Sequence, residues 1–128
     1  MSETSRLYTI HHDPVAHRLT IVTHGFWTPA VTATFAAELL ARGTAARLRH
    51  GAFTVLADLR AAAIQPTSVV DALAAMMPRA LKVTSRPIAA VVAGPLAKLQ
   101  TERYLVAPNC RTFLDPADAE RWLAAAHP

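Results

Sequence analysis

The stretch Phe53–Leu73, FTVLADLRAAAIQPTSVVDAL, passes from an apolar run into a charged pair, through a small-residue loop and into a helix. With Ala52 before it, its first part, AFTVLADL, is nearly continuous in apolar character, the pattern of a strand covered by helices on both faces and so of a parallel central strand. Pro66 is read as the first residue of the helix that follows. Val69, Leu73, Met76 and Ala80 recur there at helical spacing, with Pro78 inside the run as a kink or an early stop. Asp58 and Arg60 then stand at the strand end, two residues apart and on one side of an extended chain.

Working outward, the amino-terminal side holds RLYTIHH and HRLTIVTH joined by DPVA, an antiparallel hairpin whose Asp and Pro open a type I turn. GFWTPAVTATFAAELLARG follows as a helix. Thr28 caps it, Pro29 takes the first helical position, Val31, Phe35 and Leu39 form the apolar stripe, and Gly43 ends it. On the carboxyl side, PIAAVVAG repeats the buried-strand pattern, LAKLQTERYLV a helical one, and RTFLD is a short last strand. Asp115 caps a terminal helix begun by Pro116, with Ala119, Trp122, Leu123 and Ala126 on its inner face. The order is β-β-α-β-α-β-α-β-α. It predicts an α/β protein with a mixed sheet of about five strands, an antiparallel hairpin at the start, a parallel centre and about four helices. In such sheets ligands gather beyond the carboxyl ends of the parallel strands, where Asp58, Arg60 and Gly94 are placed.

Length and composition bound the function. A chain of 128 residues, 52% apolar and 17% charged, suits one domain over 1–128 with its core at about 7–123. IAAVVAGPLA is too short to cross a bilayer and MSETSRLYTI lacks the pattern of a leader, so a cytoplasmic protein without a membrane span is expected. The single cysteine, Cys110, precludes an internal disulfide, a thiolate zinc cluster and a Cys-x-x-Cys pair, and is read as an inert thiol. The net charge of +4 comes from scattered basic residues without interleaved aromatics, so no nucleic-acid partner is expected.

The order of elements, with VLADLR closing the central strand, QPTS starting a helix, PIAAVVAG as a strand and FLDPADAERWL at the end, resembles the STAS superfamily. More closely it looks like the SpoIIAA-like branch of bacterial proteins, named for the sporulation anti-sigma factor antagonist. The resemblance runs from about Leu7 to Leu123 and rests on pattern order rather than on a catalytic motif. It implies a small non-enzymatic domain that binds a regulatory protein partner or, in some branches, a small apolar or nucleotide ligand. It also implies a phosphoacceptor serine at the start of the helix after the central strand, here Ser68 or its neighbour Thr67. The segment AAAIQPTSVV departs from the family's pattern of Asp-Ser, a small residue and Gly, since Ala63, Ile64 and Gln65 stand in that context.

The ligand or partner site is accordingly placed at Asp58, Arg60, Ile64, Gln65, Thr67 and Ser68. A phosphate on Thr67 or Ser68 would meet unpaired helix N–H groups, but the simpler role of these hydroxyls is to satisfy such donors themselves. Asp58 and Arg60 read first as a local ion pair and second as a polar anchor, with no nearby nucleophile to make Asp58 catalytic. His11, His12, His17 and His24 cluster in the hairpin, yet adjacent strand residues point to opposite faces, so exposed polar residues are preferred over a metal site. Neither a metal nor another cofactor is expected. Trp27 and Trp122 are assigned to packing, and Lys98, Gln100 and Arg103 to a solvated helix side. A pocket of several hundred Å3 lined by Ile64, Met76, Met77 and Leu99 would favour a small apolar or anionic ligand, whereas a filled core with a flat surface would favour a protein partner. Self-association as a homodimer is also open, through an alanine-rich helix or the hairpin edge.

Overall fold

The computed structural model describes residues 7–125. Arg6, placed in the first strand from sequence, and Ala126, placed on the last helix, lie outside them. Five strands form one sheet in the order β1-β2-β3-β4-β5: Tyr8–Asp13, Arg18–Gly25, Thr54–Ala62, Ile88–Val91 and Cys110–Phe113. β1 and β2 are antiparallel, and β2, β3, β4 and β5 run parallel. The hairpin turn is set by Asp13, whose Oδ1 accepts from the N–H groups of Val15 (2.9 Å) and Ala16 (3.2 Å), as short polar side chains do in turns.

Four helices complete the described chain: α1 (Pro29–His50), α2 (Thr67–Ala80), α3 (Pro95–Glu102) and α4 (Pro116–Ala125). Successive right-handed crossovers in one direction keep returning to the same face of a sheet. That face carries the main core, where Ile21, Val55, Ala57, Ile88 and Ala90 meet Phe35, Leu39, Val69, Leu73 and Met77. The alternate strand residues Leu56, Ala89, Val91 and Phe113 point the other way and pack against α4, through Ala119, Trp122 and Leu123. Among the described residues α4 reaches β2 only through the Arg18–Glu120 ion pair at 2.9 Å, and Thr9, His11 and His24 are exposed on that face.

Three sequence expectations are corrected. α1 does not stop at Gly43 but continues to His50, because Gly43 is a contact point and not a cap: a Cβ there would lie 3.0 Å from Val83. The cap is Gly51, at φ 83°, whose N–H donates to the Arg47 carbonyl at 2.9 Å. β3 does not end at Asp58. It runs to Ala62, pairing His24 with Ala61 and Gly25 with Ala62 after a register shift between Val22 and His24. Pro66 precedes α2 rather than starting it, and Pro78 lies inside α2, which ends two residues later and passes into a 3-10 turn at Leu81–Val83.

Candidate functional site

The segments that follow β2 and β3 are tied to each other and to α3 by two glutamine amides. Gln65, in the β3–α2 loop, accepts from the Trp27 N–H through Oε1 (2.8 Å) and donates through Nε2 to the Gly25 carbonyl (2.9 Å). Gln100, on α3, accepts from the Gln65 N–H (2.8 Å) and donates to the Gln65 carbonyl (2.9 Å). Two loops and α3 are thereby held as one clasp, and each of the four polar atoms of the two amides has a partner. This corrects the sequence expectation that Gln100 lies on the solvated side of α3. The spacing of Ala97, Gln100, Thr101 and Tyr104 at i, i+3, i+4 and i+7 places it on the inner stripe instead.

Beneath the clasp lies a cavity of about 80 Å3 between the main sheet face and α1, α2 and α3. Its walls include Thr23, Trp27, Leu59, Met77, Gln65 and Gln100, and no charged side chain contributes. It is smaller than the pocket imagined from sequence and differently lined. Met77 is shared, but Ile64 and Leu99 face outward, at 42% and 64% exposure. Trp27 is buried as expected of a packing residue, edge-on to Phe35 with ring centroids 4.9 Å apart.

The six predicted site residues do not form one constellation. Asp58 shares its side of β3 with Leu56, which packs toward α4, and so stands across the sheet from the cavity. Its carboxylate is held by Arg60, through Nε at 2.9 Å and Nη2 at 2.8 Å, with the Arg60 N–H also donating to Oδ1 at 3.1 Å. The arginine hydrogen bonds depress the Asp58 pKa, opposed by partial burial, with His24 adding a smaller favourable charge. The local ion pair is thus what this side chain makes. Ile64, Thr67 and Ser68 are exposed at the carboxyl end, and no side chain caps α2.

The hairpin histidines also part. His11 and His24 are exposed, while His12 turns to the core side, stacked on His50 at 5.1 Å and edge-on to Phe53 at 5.7 Å. Among the described residues no group of three or more His, Cys, Asp or Glu side chains is arranged to hold a metal ion. Burial, and then the neighbouring His50, lowers the His12 pKa below its ordinary 6.5. The folded protein therefore keeps His12 neutral where the unfolded chain already binds a proton. Its contribution to stability is complete above the ordinary histidine value and is lost as pH falls below it toward the lower folded pKa. Thermal unfolding between about pH 5 and 7.5 should show melting temperature falling on the acid side, and His12→Leu should flatten that slope. An unchanged slope in the variant would remove His12 from the account. On β5, burial pushes the Cys110 thiol up to about 11, so it is protonated at neutral pH.

No family model matches the chain, and no curated protein matches it. Solved structures do. An uncharacterised protein of the DUF3478 family with a SpoIIAA-like fold, from Shewanella loihica PV-4, superposes with a TM-score of 0.61 over 91% of each chain at 16% identity. The anti-sigma factor antagonist SpoIIAA in its unphosphorylated form superposes with a TM-score of 0.54 at 12% identity, covering 90% of this chain and 96% of the other. No helix among the described residues is long and apolar enough to cross a membrane. With the opening hairpin, parallel strands reached in chain order and a last helix alone on the second face, this chain has the SpoIIAA-like, or STAS, fold.

Proposed function

We propose that the protein is a cytoplasmic, non-enzymatic regulatory module that docks a protein partner on the surface around the glutamine clasp. The observation that carries this reading is a set of exposed apolar side chains flanking the clasp. Phe26 stands beside Trp27, Ile64 beside Gln65, and Leu96 and Leu99 on the helix of Gln100, with Phe26 at 70% and Leu96 at 63% exposure. Apolar groups left in water on a preformed frame are the material of a protein interface, since docking removes them from water without first ordering the loops. The fold likeness to an anti-sigma factor antagonist supports a regulatory protein, such as an anti-sigma factor, as that partner. The closed Asp58–Arg60 pair, on the other face, supports a role without catalysis.

Thr67 and Ser68 are exposed next to Ile64, so a phosphate on either would place two negative charges beside this surface and weaken an apolar contact. The test is affinity capture with the purified protein against the double variant Ile64→Asp/Leu99→Asp. The expected result is a captured protein lost by at least about tenfold in that variant but retained by Leu48→Asp, an exposed apolar position on the distant end of α1. Equal loss in both variants, or in neither, would overturn the assignment of this surface. A captured second copy of the chain would replace the regulatory partner with a homodimer.

A further inference from the structure

The sheet ends in two edges, β1 and β5, and the chain treats them differently. On β1 the Ile10 carbonyl accepts from Arg42 Nη1 at 2.9 Å, so a long cation covers that edge. β5 has no such cover. The Ile88 N–H donates to the Asn109 carbonyl at 2.8 Å, and the Val92 N–H to the Phe113 carbonyl at 3.0 Å. Alternate residues of a parallel strand turn both backbone groups to the same neighbour, so Asn109, Arg111 and Phe113 face β4 while Cys110, Thr112 and Leu114 turn theirs outward. The Cys110 N–H is taken locally by the Ala107 carbonyl at 3.0 Å. The Cys110 carbonyl, both groups of Thr112 and the Leu114 N–H have no partner among the described residues. They border an open groove of about 490 Å3 that follows residues 110–114 between Lys98 and Glu102 on α3 and Asp115 and Asp118 on α4.

From this geometry we infer that the β5 edge is a self-association surface, on which a second copy of the chain lays its own β5 antiparallel and makes one continuous sheet. The edge complements itself. With Thr112 on the twofold axis, it and the second copy's Thr112 exchange both N–H···O=C bonds. The same register sets the Leu114 N–H against the second copy's Cys110 carbonyl and needs nothing from the Cys110 N–H, which is already bonded. On the α4 side of the sheet, Arg111 falls opposite the second copy's Phe113 and diagonal to its Asp115. Arg111 already lies over its own Phe113 ring, 5.1 Å from the centroid, and has no carboxylate partner in its own chain among the described residues. A cation set in register with a ring and a carboxylate favours a second copy over an unrelated extended peptide, which supplies backbone groups but not this pairing. None of the apolar residues flanking the clasp lines this groove.

Sedimentation velocity of the intact protein from about 5 to 500 μM, a range that brackets the affinity of a small interface, should show a monomer passing into a dimer. Arg111 is exposed, so Arg111→Glu should leave the monomer folded. It sets like charges on the diagonal and should weaken the dimer by at least about tenfold. Amide hydrogen exchange reads the register. The Thr112 N–H should exchange fast in dilute protein and slowly in concentrated protein, whereas the Phe113 N–H, inside the ladder with β4, stays protected in both. A monomer throughout the range would overturn the inference. So would a dimer in which Thr112 exchange does not change, or one equally strong in Arg111→Glu. Ile64→Asp/Leu99→Asp should dimerise as the wild type does, and a second copy captured through β5 is retained by that variant. Loss of the dimer there would assign self-association to the clasp surface and remove it from β5, while capture of a different protein at the clasp stands or falls by itself.

Discussion

Phe53→Ala is expected to lower the unfolding free energy by about 3–5 kcal/mol, the usual cost of deleting a buried aromatic ring when the surroundings relax only in part. Phe53 is 1% exposed and belongs to the main core, where its ring meets His12 edge-on. Its carbonyl accepts from the Thr84 hydroxyl at 2.6 Å, so the segment entering β3 is held by side chain and backbone together. For a chain of this size the loss corresponds to a fall in melting temperature of about 10–15 °C. Phe53→Leu should lose less, because much of the apolar volume stays. Urea unfolding of the three proteins measures this. A loss below about 1 kcal/mol for the alanine variant would contradict the packing described.

The second large effect is at the clasp. Gln65→Ala removes the partner of the Trp27 N–H and of the Gly25 carbonyl at once, and should cost about 2–4 kcal/mol because two partly buried backbone groups lose their hydrogen bonds together. Gln65→Glu separates size from hydrogen bonding. It keeps an acceptor for Trp27 but sets a second acceptor against the Gly25 carbonyl, so it should not restore stability. Hydrogen exchange at the Trp27 amide reads the local consequence. Exchange should accelerate in both variants by more than the global loss explains, and unaltered protection would show that the amide is held by something other than Gln65.

Much of the fold could be seen in the amino-acid order because local physics writes it there. The near-continuous apolar character of β3 and β4 announces burial on two faces, and Thr28, Pro29, Asp115 and Pro116 mark where α1 and α4 begin. The last of these is direct: Asp115 Oδ1 accepts from the Ala117 N–H at 2.9 Å. Where the reading failed, a distant neighbour had overridden a local signal. Gly43 is a plausible helix end by composition, but it is the residue that lets α1 approach Val83, forty positions away. β3 runs past its charged pair because β2 offers His24 and Gly25 as further partners.

The candidate site follows the same division. Strand alternation in the sequence already puts Asp58 and Arg60 together on one side, and they do pair. Which side that is, relative to the loop from Ile64 to Ser68, depends on where the crossover helices lie, and the structure sets the two apart across the sheet. By itself the sequence determined the alternation of elements, the mixed sheet and most helix starts, since these depend on periodicity, capping and turn chemistry over a few residues. Only the tertiary structure decided that Gln65 and Gln100 clasp two loops to α3, and that Thr23 is buried at the wall of an apolar cavity. Hydrogen bonds between residues 35 to 40 positions apart leave no periodic trace, because they are made by the approach of chain segments and not by the segments themselves.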